Sequence, residues 1–230
     1  MSVAAALRPD GWLSEVLGFA VYATDGSGEV PGDDGRSLTY AKIDVADTEA
    51  VARLTSQGFA VVDVNLTFAR GGDRSAVSSG VMVEPAGPEH AEALVDIAGR
   101  CFRFSRFHLD PFLPGELADR IKREWIRSYV RGRRGVELLA AVDGGTPVGF
   151  LAVLESGNAR IIDLVGVAPE AQGRGTGRAL VSAFVDRHSA PGRELRVGTQ
   201  AANVPSIRLY ESLGFSLVAA AYVLHLHRGM

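Results

Sequence analysis

The sequence predicts an α/β (α+β) fold, a mixed and mostly antiparallel central sheet flanked by helices, with a small α/β unit ahead of it. Three observations carry this reading. Apolar runs at 136–143, 147–155 and 159–168 follow one another with only short polar turns between them, the pattern of antiparallel strands. A glycine-rich stretch, "QGRGTG" (172–177), joins an apolar strand-like run to a helix-like one. A polar, Gly/Ser-rich stretch, "GGDRSAVSSG" (71–80), reads as a linker and divides the chain into residues 1–75 and 76–230.

In the first unit, "GFAVYAT" and "SLTYAKI" read as strands and "DTEAVARLTSQGF" as a helix. Asp47 suits its N-cap, Glu49 and Ala50 its first turn, and Gly58 its stop. "AVVDVNLTFAR" reads as the strand that follows.

The second unit opens with a strand, "VMVEPA", and a helix, "GPEHAEALVDIAGRCF". An aromatic and polar loop, "RFSRFHLDPFLP", leads into "GELADRIKREWIRSYVRG", where Leu117, Ile121, Trp125 and Tyr129 recur at four-residue steps of a helix. "DGGT" (143–146) and "SGN" (156–158) suit the tight turns between the three apolar runs. After the glycine loop, Leu180, Ala183 and Phe184 give a helix its apolar face. "RELRVGTQ" is a strand, and "NVPSIRLYESLGF" (203–215) a short helix ended by Gly214.

Composition sets bounds. At 230 residues with 47% hydrophobic content the chain can bury a sizeable core. A net charge of -3 gives no reason to expect nucleic-acid binding. Cys101, the single cysteine, cannot form an internal disulfide, which fits a cytoplasmic protein. The first residues lack the basic start and apolar stretch of a signal peptide, and no apolar run approaches the ~20 residues of a membrane span. The five histidines show no metal-ligand spacing, so no metal is expected; His225 and His227 share one face of a strand.

The glycine loop raises the question of a ligand. A helix start offers unpaired N–H groups and the positive end of the macrodipole. Glycines let such backbone approach an anion closely, so phosphate is the expected ligand, with Arg174 and Arg178 at the rim. A loop that needs only positive φ is the plainer alternative. A P-loop would require Gly-Lys-Ser/Thr, and a G-x-G-x-x-G fingerprint would place glycine where Arg178 stands. The pattern Q-x-x-G-x-G/A, which cradles the pyrophosphate of an acyl-CoA, is met by Gln172, Gly175 and Gly177, with Gly173, Arg174 and Thr176 between them.

A second motif agrees. In N-x-x-A-x-x-L-Y-x-x-x-G-F, Asn203, Leu209, Tyr210, Gly214 and Phe215 match, and Ser206 stands where Ala is usual. With both motifs in order, the chain resembles the GCN5-related N-acetyltransferase (GNAT) superfamily. "SRFHLDPF", "RVGTQAANVPSIRLYESLGF" and "AAYVLHLHR" are similar to the TDP-amino-sugar acetyltransferases within it, which also carry a small N-terminal α/β domain. Ser14, Val16, Leu17 and Gly18 depart from the Ser-x-Phe-Phe-Gly usual in that domain.

The resemblance implies acetyl-CoA as cofactor, a small-molecule amine (lead acceptor, a nucleotide-linked amino sugar) as substrate, and a homodimer. It also implies that backbone groups of Leu164, Val165 and Val167 bind the pantetheine and polarise the thioester, beside a β-bulge that splays two strands. Tyr210 is the expected acid: a phenol near ~10 holds its proton at neutral pH and can pass it to a departing thiolate. The alternative is a tyrosine that only packs beside Leu209 and Leu213. Asn203 suits both a pantetheine contact and the N-cap of its helix. On the acceptor side, Arg106, His108, Asp110 and Asp163 are the candidates, with His108, Asp163 or a solvent water as base; Glu137 and Glu155 have no assigned part. A non-catalytic acyl-CoA sensor, or transfer to another amine, are the rival functions.

Overall fold

The computed structural model describes residues 7–27, 30, 35–71 and 81–229. Its strands are β1 (Arg8–Pro9), β2 (Ala20–Thr24), β3 (Ser37–Asp44), β4 (Ala60–Gly71), β5 (Met82–Pro85), β6 (Glu137–Asp143), β7 (Thr146–Ser156), β8 (Ala159–Val167), β9 (Glu194–Gln200) and β10 (Ser216–Arg228). The helices are α1 (Gly11–Leu17), α2 (Thr48–Ser56), α3 (Ala91–Ala98), α4 (Gly115–Val130), α5 (Thr176–His188) and α6 (Val204–Ser212). Local signals place most of them. Asp47 caps α2 by accepting from the Ala50 amide, and Gly58 follows its end at φ 93°. Gly144 and Gly145 supply the two positive-φ positions of the β6–β7 hairpin. Helix α1 was not expected: it has only seven residues, too few to show a period, and is fixed by Asp10 accepting from the Leu13 amide and by Gly18 at φ 78°.

All the described strands form one sheet, in the order β1-β2-β3-β10-β4-β9-β8-β7-β6-β5. Every neighbouring pair is antiparallel except β2–β3 and β8–β9. The sheet is mixed and mostly antiparallel, as the sequence predicts. The last strand, β10, lies between β3 and β4, so residues 1–75 and 76–230 share this sheet. Leu224 and Leu226 of β10 complete the core beneath α2 with Ala41, Ile43, Leu54 and Phe59. Most of the expected linker, residues 72–80, lies outside the described residues.

Alternation along the strands gives the sheet two covered faces. Leu139, Ala141, Leu151 and Val153 pack on α5, together with Tyr210 of α6 and Leu213 at its C-cap. Ala140, Val142, Phe150 and Ala152 pack on α3 and α4. Helix α4 turns Ile121 and Tyr129 fully inward and Leu117 and Trp125 partly, as its spacing predicts. The same face also buries Lys122, which the periodicity does not single out.

One irregularity positions the site. The β7–β8 register jumps from Ala152↔Leu164 to Val153↔Ile162, which leaves Asp163 bulged. The β8–β9 pairing stops at Ile162↔Val197, while β9 continues along β4 to Gln200. Beyond the bulge the two strands diverge, and the edge of β8 that faces β9 has no strand to bond.

Candidate active site

A cavity of about 550 Å³ passes through this opening. On the α4 face its floor includes Lys42, Asp63 and Asn65, and its roof includes Arg106, Lys122 and Trp125. At the opening lie Leu164 and Val165; on the α6 face lie Asn203, Ser206 and Tyr210. Alternation explains the two sides: Leu66 and Phe68 of β4 face the α5–α6 core, so Asp63 and Asn65 face the other way.

The glycine loop closes onto the end of β8. Gln172 Nε2 donates to the Val167 carbonyl at 3.1 Å, and the Thr176 hydroxyl to the Ala171 carbonyl at 3.3 Å. Gly173 and Gly175 take φ of 75° and 88°, a region costly for other residues, and Gly175 is the N-cap of α5 without a side-chain cap. The amides of Gly173, Arg174, Thr176 and Gly177 have no acceptor among the described residues. A Cβ at Gly173 or Gly175 would meet open space, so the cradle is formed by backbone alone. Arg174 is exposed, and Arg178 is exposed and donates to Ser212 Oγ at 2.8 Å. Uncapped amides around a concavity at a helix N-terminus fit the pyrophosphate of an acyl-CoA.

Tyr210 is 2% exposed, with its ring 6.1 Å from that of Phe68 and 6.2 Å from that of Phe215. Burial raises its phenol well above the ordinary value, and a hydrogen bond with Ser206 works in the opposite direction. The ring packs in the α5–α6 core, and the residue also lines the cavity. Asn203 caps α6 through the Ser206 amide and also lines the cavity.

The four acceptor-side candidates separate. Arg106 lies in the roof, its guanidinium 4.0 Å from the Tyr40 ring centroid and 4.5 Å from that of Phe107. Asp163 lines the cavity but is engaged: it accepts from Trp125 Nε1 (2.7 Å), the Tyr129 hydroxyl (2.8 Å) and both arms of Arg134 (2.7 and 3.1 Å). These four hydrogen bonds make Asp163 a clamp between the bulge, α4 and Arg134. His108 is not among the cavity-lining residues; it bonds Ser105 and Asp119, and burial lowers its pKa. Glu137 bonds Arg187 and His188, and Glu155 pairs with Arg160.

Asp110 also lies away from the cavity, in a cluster the sequence spacing conceals. Its Oδ2 lies 2.5 Å from His225 Nδ1 and 2.7 Å from His227 Nε2, which ties the aromatic loop to β10. The three residues could converge on a cation. However, His225 Nε2 and His227 Nδ1 are buried without partners among the described residues. Metal ligation would put N–H donors at those positions, where ligating histidines normally have an acceptor. Imidazole N–H groups donating to an ionised carboxylate fit better. Burial, reinforced by the charge on Arg106, pushes His225 down to about 4 against the pull of Asp110. The unfolded chain, with histidine near ~6.5, then binds more protons than the folded one between pH 6.5 and 4, so stability falls as pH drops through that window. The loss is on the order of 3 kcal/mol. Urea unfolding at pH 7 and pH 4.5 measures it; an equal loss in His225→Gln would assign it elsewhere.

Among the cavity residues that the sequence does not single out are Asp63 and Lys42, which look like ordinary alternating polar positions on strands, and Lys122, one position from a helix's apolar stripe. Lys122 is 6% exposed, with its Nζ 4.7 Å from the Phe102 ring centroid and 4.9 Å from that of Trp125. Burial, with Arg106 nearby, pushes it down to about 8.

Comparison with known proteins follows this geometry. Residues 91–215 match the model of the "Acetyltransferase (GNAT) family". The chain is 32% identical over 146 residues to the spore coat polysaccharide biosynthesis protein SpsD of Bacillus subtilis, a match covering 63% of this chain and half the length of that protein. It is 27% identical over 193 residues to dTDP-fucosamine acetyltransferase of Escherichia coli, covering 82% of this chain and 81% of the relative. A GCN5-related N-acetyltransferase from Kribbella flavida has the same fold, with a TM-score of 0.59 at 17% identity, covering 100% of this chain and 90% of that one. The family match spans the α3 helix, the splayed strands, the glycine loop and Tyr210. The chain therefore belongs to the GNAT family of acetyltransferases.

Proposed function

We propose that this chain transfers the acetyl group of acetyl-CoA to the amino group of a nucleotide-linked (TDP) amino deoxysugar, with the amine attacking the thioester directly. The observation that carries this reading is the cavity that crosses the sheet, with the amide-lined glycine loop and Tyr210 on the cofactor side and a cationic chamber on the other. Acetyl-CoA, when bound, supplies the activated acyl group. The residues of the 172–178 loop hold its pyrophosphate. The free edge of β8 at Leu164, Val165 and Val167, with Asn203, holds the pantetheine, and one β8 amide polarises the thioester carbonyl. Tyr210 keeps a proton where the leaving sulfur needs one.

Charge supports the acceptor. In the chamber Lys42, Arg106 and Lys122 outnumber the single carboxylate of Asp63, while Asp163 is paired with Arg134 and Arg196 with Glu194. Such a chamber attracts a pyrophosphate and repels a polyamine. The similarity to a dTDP-fucosamine acetyltransferase points the same way.

A thiol-release assay across dTDP-fucosamine, an aminoglycoside, spermidine and a peptide tests the reading. The dTDP-amino sugar is expected to give the highest kcat/KM. A preference for spermidine or peptide would reject the acceptor, and no thiol release from any amine would favour an acyl-CoA sensor. Cytoplasmic residence and a homodimer belong to the same reading. Cys101 is a free, half-buried thiol, and no described helix is long and apolar enough to cross a membrane. Leu217 and Val218 leave exposed apolar surface on β10 for a second copy. Sedimentation of the assayed sample as a single chain would reject the dimer.

A further inference from the structure

The transfer proposed above needs a group to take the proton that the acceptor nitrogen loses, and the sequence leaves that group open. Other acids near the chamber are engaged elsewhere: Asp10 caps α1 and accepts from the Tyr40 hydroxyl. Asp163 is saturated by four donors. Asp110 is bound to two histidines and lies off the cavity. Asp119 bonds His108. Glu194 pairs with Arg196 at the chamber's edge.

Asp63 is different. It sits on the chamber floor, 7% exposed, and the Val64 amide and the Gln200 side chain both bond its carboxyl group. Its Oδ2 is buried and has no partner among the described residues. A buried carboxylate oxygen with no donor is costly unless something supplies one. Strand register puts Asp63 beside the opening: Asn65, two residues along the same face, pairs with Gln200, the last residue of β9 past the point where β8 departs. Gln200 also accepts from the Asn203 amide, linking this carboxylate to the start of α6, the helix that carries Tyr210.

We propose that Asp63, contributed by the N-terminal part of the sheet, is the proton acceptor for the amine. As the C–N bond forms and the C–S bond breaks, the nitrogen's proton passes to Asp63 Oδ2. The departing sulfur takes its proton from Tyr210, and exchange with solvent returns both side chains to their starting states. Proton acceptor and proton donor thus stand on opposite faces of the sheet, with the opening between them.

The electrostatics suit the role. Burial pushes Asp63 up to about 6, while Arg106 from the loop and Lys42 from β3 pull it down. Val223 of β10 and Gln200 of β9, its other cavity neighbours, are uncharged. The carboxyl is therefore ionised at pH 7 and above, yet more basic than an ordinary aspartate near ~3.9. Lys122, at about 8, is the competing base.

The proposal rests on the acetyltransfer reading, and the test separates the two. In the intact protein, dTDP-fucosamine is the first acceptor, and the assay then uses whichever amine of the panel turns over best. Failure of dTDP-fucosamine alone removes the acceptor, not the base. Wild-type kcat/KM should show an acidic limb near pH 6. Asp63→Asn should lower kcat by about 10²-fold and lose that limb, with the acetyl-CoA thermal shift unchanged. Lys122→Met should raise the acceptor KM and keep the limb. Asp63→Asn within threefold of wild-type kcat, or a limb near pH 8 that vanishes in Lys122→Met, would overturn the proposal. Carboxyl ¹³C NMR of Asp63 in the free protein needs no acceptor. A titration near pH 6 is expected, and one at the ordinary aspartate value would count against it.

Discussion

Tyr210→Phe is expected to lower kcat by 10²-fold or more, up to about 10⁴, with acetyl-CoA binding little changed. The substitution keeps the ring that packs between Phe68 and Phe215 and removes only the hydroxyl. The folded state loses one hydrogen bond to Ser206, about 1 kcal/mol, so the variant should fold. A phenol raised by burial is certain to be protonated, but it is also a weaker acid, and a free thiolate near ~8.5 would be a poor match for it. Desolvation that raises the phenol would raise a thiolate leaving beside it in the same direction, which narrows the mismatch. Ser206, which stands where the motif usually has Ala, can donate to the phenolate and stabilise it. Single-turnover kinetics with acetyl-CoA titrations separate the cases: near-wild-type kcat would leave Tyr210 a packing residue, and lost affinity at unchanged kcat would make it a binding residue.

What the sequence made legible was local. The strand–loop–helix around "QGRGTG" could be read because positive φ calls for glycine and a helix start calls for an anion, both within six residues. The hairpins of β6, β7 and β8 were legible for the same reason, since Gly144, Gly145 and Gly157 sit where the turns need them. Strand order is a long-range property, and nothing in "AAYVLHLHR" tells that β10 slides between β3 and β4. That one placement decides which side chains share the chamber. It aligns Asp63, Val223 and Lys42 across three strands, and it brings His225 to Asp110 from 115 positions away. Asp163 stands two residues before Val165, which the sequence shows directly; its pairing with Trp125, Tyr129 and Arg134, at least 29 positions distant, it does not show. The proposed acid, on a short motif, could be named from sequence, while the proposed base, on a strand joined only by tertiary pairing, could not.

Gly175→Asp is expected to abolish the thermal stabilisation by acetyl-CoA while leaving the ligand-free protein folded. In the wild type, a ligand that binds only the folded state at 100 times its Kd adds about 2.7 kcal/mol. For a chain of this size that is a rise of roughly 5–10 °C in Tm. Two effects of opposite sign act on the ligand-free variant. At φ 88° a side chain is strained by about 1–2 kcal/mol, though aspartate tolerates this region better than most residues. Gly175 is also the N-cap of α5, and aspartate is among the best residues there, because its carboxylate accepts from the next amides and faces the positive end of the helix. These terms nearly offset, so Tm without ligand should move by only a few degrees. The same carboxylate is what excludes the cofactor. It competes for the amides of Gly177 and Arg178 at the start of α5, and it sets a negative charge where the pyrophosphate must sit. Gly175→Ala isolates the backbone part, since its Cβ meets open space; it should keep a reduced but measurable shift. Scanning calorimetry at several acetyl-CoA concentrations distinguishes the outcomes. A full shift in Gly175→Asp would mean that the cofactor's phosphates lie away from this loop. Equal loss in both variants would mean that the loop's conformation, and not its charge, governs binding.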